Sequence, residues 1–443
     1  MQRPEFGERE AEPMKLLIRQ GHVLDPDTGR NGIYDILTED GVIRTVAEHI
    51  TTEADRVIEA EGLWVMPGLI DLHVHLRDPG LEYKETLHTG AMAAARGGVT
   101  TICAMPNTVP STDSPEMIRS QNERAKTECP VHVSFIGAVT KGQKGEELTD
   151  IAGMKREGML AISEDGKSVM NAGLYREAMK IAAQENIVVM AHCEDKTMVC
   201  GGVMNAGKKS EEMGLPGITN GVEDVIAAPD ILIAKETGAK LHLCHCSTKD
   251  SVEMVRLAKE AGLPVTAEVC PHHFTLTDAD IPSDDGNYKM NPPLRSRADV
   301  DALIDGLKKG IIDVISTDHA PHGEEEKGRG FEKSPFGIVG LETSVSLTIT
   351  ELVDKGILSP MEMAERMSYT PAKILGVDKG SLAEGKCADL TLIDPEASYV
   401  IRKKAFVSKG KNTPFDGKQV KGKVVMTIVD GTVVYEGGNE SDQ

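Results

Sequence analysis

No Cys-x-x-Cys pair occurs in the 443-residue sequence, although it holds eight cysteines. Several of the eight (Cys103, Cys129, Cys193, Cys200, Cys244, Cys246, Cys270 and Cys387) sit in apolar runs, where reduced thiols act as small hydrophobes. This usage points to a reduced, cytoplasmic protein and away from a disulfide framework. No run approaches the ~18 consecutive apolar residues of a membrane span. The opening "MQRPEFGEREAEP" lacks the apolar core of a signal peptide, so residues 1–13 read as a disordered leader. Positive charge is scarce: 49 Lys and Arg stand against 70 Asp and Glu, a net charge of -21. That balance excludes nucleic acid and anionic membranes as partners and leaves a small-molecule substrate. It does not exclude a local cationic pocket.

With 40% hydrophobic and 27% charged residues, the composition is that of a globular protein long enough for a large core. Residues 14–65 carry short strand-like pieces, "KLLIRQGHVLDPDTG", "YDILTEDGVIRTVA" and "RVIEAEG", separated by Asp-Gly and Asp-Pro turn chemistry. Residues 376–437 repeat that texture in "ADLTLIDP" and "KVVMTIVDGTVVYEGG". The two ends are expected to pair into one small β-sandwich domain, followed by a tail at 438–443. Between them, over 66–375, eight apolar runs alternate with helix-like stretches such as "AGLYREAMKIAAQE". The stretch from Trp64 to Leu72 is expected to be one buried strand. Alternating β and α units imply a parallel sheet, and eight of them an α/β (β/α)8 TIM barrel.

In such a barrel the chemistry sits at the C-terminal ends of the strands. The runs end in His73-x-His75, Asn107, Glu164-Asp165, His192, His245 and Asp318-His319. Imidazole and carboxylate together suit zinc and its borderline neighbours. The set exceeds one tetrahedral site and suits two ions sharing a bridge, which would make a shared water acidic near neutral pH. His242 and His245 are three apart, so within a strand only one can face the barrel axis. The spacing does not say which; His245 lies nearer the strand end and is favoured. Glu164 and Asp165 cannot both face the metal from a strand. His272 and His273 read as structural or supporting, and His22, His49, His88 and His132 as structural or surface residues.

The stretches "DLHVHLRDPGLEYKET", "MPNT", "SEDG", "AHCED", "HCST", "NPPLR", "TDHAPH" and "FGIVGLE" together resemble the bacterial class I dihydroorotases of the metal-dependent amidohydrolase superfamily. The resemblance spans residues 14–437. It implies that His73, His75 and Asp318 hold one metal, that His192 and His245 hold a second, and that Asp165 bridges them, with Glu164 the fallback. Many relatives bridge with a carboxylated lysine, and this sequence offers no convincing one; Lys155 lies too early. Arg77 would grip a substrate carboxylate, a task suited to a planar bidentate fork. Asn107 and His322 would assist it, His75 would also border the substrate, and Asn291 with the backbone of Phe336 and Gly337 would bind the ring amides. The charged loop that carries His322 is expected to be mobile.

The implied reaction is the reversible cyclisation of N-carbamoyl-L-aspartate to L-dihydroorotate in de novo pyrimidine biosynthesis. It would use a metal-activated bridging water, with Asp318 as general acid and base. The implied cofactor is a pair of Zn2+ ions, with Mn2+ or Co2+ as substitutes. The implied assembly is a homodimer or an association with aspartate transcarbamoylase. Rival readings are another cyclic amidohydrolase (allantoinase, hydantoinase or dihydropyrimidinase) and a non-catalytic scaffold.

Overall fold

A computed structural model describes residues 15–437. The expected leader and tail lie outside the described residues. All eight apolar runs contain strands. In chain order these are Leu69–Val74, Val99–Ala104, His132–Phe135 continued by Gly137–Ala138, Ala161–Ser163, Val188–Ala191, Lys240–Leu243, Val265–Val269 and Val314–Ile315. Neighbouring strands pair in parallel and in sequence order. A bridge from Val74 to His319 returns the chain to the first strand and closes the ring. Ile70, Leu72, Cys103, Met105, Ile136, Ala161, Val188, Met190, Cys244 and Val314, on or beside most of the barrel strands, form one buried cluster. The interior is thus a packed core, not a pore.

The helices between strands start where the sequence supplies capping side chains. Thr86, Ser114, Thr248 and Ser296 each accept a backbone N–H from the first turn of Leu87–Arg96, Pro115–Glu128, Lys249–Glu260 and Arg297–Lys308. Each such cap contributes about 1 kcal/mol.

The chain ends meet in a single sheet of eight strands. Leu390–Val400, from the second half, pairs antiparallel with Trp64–Pro67, from the first. Leu16, Ile18, Ile36, Leu390, Leu392 and Ile428 share its buried core. The stretch expected to be one strand, Trp64 to Leu72, is in fact two. Trp64–Pro67 belongs to the end sheet and Leu69–Val74 to the barrel. The break falls at Gly68, where a Cβ would lie 2.2 Å from the Thr100 hydroxyl oxygen. Periodicity cannot reveal such a break, because both pieces are equally apolar.

The loop expected to be mobile carries local structure of its own. It holds a short helix, Glu324–Lys327, and buries Phe331. The Lys327 ammonium donates to the carbonyls of Lys289, Pro335 and Gly337 at 2.9–3.0 Å.

Candidate active site

The strand ends bring the predicted residues together. His73 ends the apolar stretch of the first strand and is fully buried. Its Nδ1–H donates to Glu268 Oε1 at 2.9 Å, which leaves the Nε2 lone pair facing inward. That Nε2 is 3.3 Å from Asp165 Oδ1 and 3.7 Å from Asp318 Oδ1. His75 is fixed the same way: Nδ1–H donates to Asn107 Oδ1 at 2.8 Å, and Nε2 lies 3.0 Å from Asp318 Oδ1. Asn107 then donates through Nδ2 to Asp165 Oδ2 at 3.2 Å. His192 donates from Nε2 to Glu194 Oε2 at 3.0 Å, which turns Nδ1 toward His245 Nε2 at 2.8 Å and Asp165 Oδ1 at 3.5 Å. His245 Nε2 is 3.8 Å from the same Asp165 oxygen.

Asp165 is common to both groups. One holds His73, His75 and Asp165; the other holds Asp165, His192 and His245. Glu164 points elsewhere. Its carboxylate accepts the backbone N–H groups of Val139 and Thr140 at 3.1 and 3.0 Å, and the Thr140 hydroxyl. Lys155 is not at the site; its ammonium pairs with Glu185.

His245 reaches the cluster although it lies beyond the strand Lys240–Leu243. Its backbone turns left-handed, with φ of 32°. Strand alternation therefore does not apply to it. His242 is buried too, but it serves as support, donating from Nε2 to Glu268 Oε2 at 3.1 Å. Asp318 is likewise left-handed, with φ of 47°. His272 and His273 fall in the short helix Pro271–Thr275, where His273 Nε2–H donates to the Pro292 carbonyl at 2.9 Å.

Does a cation fit here? His73 Nε2 and Asp165 Oδ1 are both buried and neither has a hydrogen-bond partner. An orphaned lone pair facing an orphaned carboxylate oxygen is costly unless something positive lies between them. Burial opposes charge on both groups. Their mutual attraction nevertheless holds Asp165 well below the usual carboxylate range and raises His73 well above the usual imidazole range. Without a cation, a proton takes that place. Imidazole nitrogens shared with carboxylate oxygens suit a divalent borderline metal. Burial pushes the Asp318 carboxyl up, but the His75 hydrogen bond and the charges of His73, His75 and His245 bring it to about 2.

Beside the cluster lies Arg77, at φ of 61°. Asp78, its neighbour, is taken by Arg124 at 2.7 and 2.9 Å. Among the described residues no carboxylate lies within ion-pair distance of the Arg77 guanidinium, whose Nε donates to the Pro321 carbonyl at 3.3 Å. His322 adjoins it. The Lys84 ammonium donates to His322 Nδ1 at 3.2 Å, so Nε2 carries the proton and donates to the Phe336 carbonyl at 2.7 Å. Burial, with Arg77, Lys84 and Lys327 nearby, lowers the His322 imidazole to about 2 and keeps it neutral. Gly337 has φ of 130°, and a Cβ there would lie 2.7 Å from Ala320 Cβ. Asn291 sits before a cis proline and hydrogen-bonds Glu194.

Residues 62–251 match the sequence profile of a family described as "Dihydro-orotase-like". A dihydroorotase of Pelotomaculum thermopropionicum is 49% identical over 96% of this chain and 99% of its own length. One of Acetivibrio thermocellus is 46% identical over 95% and 98%. The chain belongs to the dihydroorotase family. Its fold also matches the L-hydantoinase (dihydropyrimidinase) of Arthrobacter aurescens, with a TM-score of 0.86 and 29% identity over 96% of this chain and 97% of that one. A dihydropyrimidinase from Brevibacillus agri, 24% identical with a TM-score of 0.83 over 96% and 95%, shares the fold.

Within this dihydroorotase-family site, sequence reasoning missed Glu268 and Glu194. Glu268 holds His73, His242 and the backbone N–H of His245 at once. Its signal was there to read: a glutamate inside the apolar run "VTAEVC" is a buried charge that must have partners. Glu194 lies two residues past His192, in "AHCED", where it looks like ordinary surface acid.

Proposed function

We propose that this enzyme is a class I dihydroorotase, interconverting N-carbamoyl-L-aspartate and L-dihydroorotate in pyrimidine biosynthesis with two divalent ions, zinc in the first instance. The observation that carries the reading is Arg77. A half-buried guanidinium with no carboxylate at ion-pair distance among the described residues, beside a cluster of metal-type ligands, calls for an anionic substrate. Hydantoin and dihydropyrimidine rings, named for the structural neighbours, do not need such a charge, and the ligand set holds Asp165 in place of a carboxylated lysine.

His73, His75 and Asp318 would hold one ion, His192 and His245 the other, and Asp165 both. When bound, the ions supply Lewis acidity that makes water reactive near neutral pH and polarises the amide carbonyl. The side chains do the rest. Arg77 holds the substrate carboxylate in its fork, Asn107 donates to it through the second hydrogen of Nδ2, and neutral His322 borders it, held by Lys84 and the Phe336 carbonyl. Asn291 and the backbone at Phe336 and Gly337 fix the ring amides. In ring opening, Asp318 accepts a proton from the attacking water and delivers it to the departing ring nitrogen as the carbon–nitrogen bond breaks. In ring closure, Asp318 removes the ureido proton and returns it to the departing hydroxyl. One ionised carboxylate thus serves as base and then acid. Glu268, Asn107 and Glu194 hold the ligand rings in the tautomers this requires.

Ring closure consumes one carboxylate and takes up one proton. The ratio of closed to open form should therefore fall about tenfold for each unit rise in pH. A ratio that does not move with pH would mean a different reaction. Zinc-loaded protein should hydrolyse L-dihydroorotate, and Asp318→Asn should lose about 100- to 10,000-fold of that rate. Turnover on neutral cyclic amides alone would reject the assignment. The same reading carries a cytoplasmic homodimer able to associate with aspartate transcarbamoylase, which light scattering of the chain with and without that enzyme tests. A non-catalytic scaffold finds no favouring observation.

A further inference from the structure

At the opposite end of the barrel lies a second group of metal-type side chains, remote in sequence from the first. His132 opens the third strand, so it stands at the base, away from the mouth. Cys387 and Asp389 precede the end-sheet strand Leu390–Val400. Asp430 sits in the turn between Gln419–Val429 and Thr432–Glu436. One donor atom from each of the four lies within 4.8 Å of the others. We propose that His132, Cys387, Asp389 and Asp430 bind a borderline divalent transition metal, of the Zn2+ class, that ties the end sheet to the base of the barrel.

The pairwise spacings are close to those of a tetrahedral ligand set, each carboxylate turning one oxygen to His132 and the other to Cys387. Metal bonds of about 2.0–2.3 Å put adjacent donors about 3.3–3.8 Å apart. His132 Nε2 is 3.5 Å from Asp389 Oδ2 and 3.4 Å from Asp430 Oδ2. Cys387 Sγ is 3.3 Å from Asp389 Oδ1. Its contact with Asp430 Oδ1, at 2.9 Å, is tighter, and the Asp430 side chain is 57% exposed and free to give way. His132 Nε2 is buried and lacks an aligned hydrogen-bond partner. An open cleft of about 550 Å³, bordered by Cys129, His132, Val133 and Asp430, gives an ion its approach.

Charge agrees with a dication. Two carboxylates and a thiolate give three negative charges. Lys379, whose ammonium pairs with Asp389 and lies 3.9 Å from Cys387 Sγ, returns one positive charge. Two remain for the ion. Thiolate with imidazole selects zinc-like metals over magnesium or calcium. Binding transfers the thiol proton to solvent and changes no oxidation state. Lys379 is the built-in competitor, holding Asp389 when the ion is absent.

The test is cobalt substitution in the full-length protein, stripped of metal and refilled with Co2+ without air. The proposed mouth ligands are all nitrogen and oxygen, so an intense near-ultraviolet thiolate-to-cobalt absorption reports a cysteine ligand. Its loss in Cys387→Ser assigns it to this site and not to Cys244 or Cys270, which also lie beside histidines. The wild type should show the band, and Cys387→Ser should lose it together with one equivalent of bound metal by mass spectrometry. Asp430→Asn, at an exposed position that folding tolerates, should weaken binding of that equivalent, and Lys379→Met should tighten it. Turnover of L-dihydroorotate should be unchanged in Cys387→Ser. A wild type without the band, a band that survives Cys387→Ser, or equal metal content in the two proteins would overturn the proposal.

Discussion

The two ends of the barrel gather the same kinds of side chain and use them differently. At the mouth, His73, His75 and His192 are each held from behind by Glu268, Asn107 or Glu194, so their free lone pairs converge on Asp165. At the base, among the described residues, no side chain holds the other ring nitrogen of His132, and Lys379 already offsets part of the acidic charge. A ligand set that is buried and backed is unsatisfied when empty. A set that is half open, with its own ammonium, tolerates emptiness. The lesson is that the partners behind the ligands, more than the ligands themselves, show which site requires a cation.

That contrast can be broken at several points, beginning with the largest effect. Removing metal by chelation should abolish turnover of L-dihydroorotate, and restoring zinc should return it; activity that persists after exhaustive chelation would place the chemistry elsewhere. Next comes the backing. Glu268→Gln keeps the shape but removes the charge behind His73, and should weaken metal binding at the mouth about 10- to 100-fold, with turnover recovering at excess zinc. Titration of metal-free protein against a chelator of known affinity measures this directly. Equal affinity would show that the backing is ornamental. Third, Arg77→Met should raise KM for L-dihydroorotate roughly tenfold or more, the worth of a charge-assisted hydrogen bond, while leaving metal content intact. A fall in metal content would make Arg77 a support of the cluster, not a substrate clamp. The smallest effect is expected at the base, where His132→Ala should leave kcat and KM unchanged.

Much of this could be read in the sequence, and the reasons differ by region. The barrel was legible because each strand is a short apolar run followed by an amphipathic stretch, and because His73, His75, Asp165, His192 and Asp318 stand at strand ends. Other features were not. The break at Gly68 hides inside uniformly apolar sequence, and only the close approach of Thr100 reveals it. His245 was favoured from its place past the strand, but the left-handed turn that frees it from strand alternation was hidden. Within the charged loop, Lys327 buries its ammonium among carbonyls, a contact that its charge alone does not announce. The base cluster joins residues 132, 387, 389 and 430, which only the pairing of the end sheet with the barrel brings together.

The central claim is that the mouth reads a negatively charged cyclic amide. It is tested most directly by one comparison: kcat/KM of the zinc-loaded wild type for L-dihydroorotate and for 5,6-dihydrouracil, the same ring without its carboxylate. The account predicts a strong preference for L-dihydroorotate that largely disappears in Arg77→Met. Equal or better turnover of dihydrouracil by the wild type would contradict it.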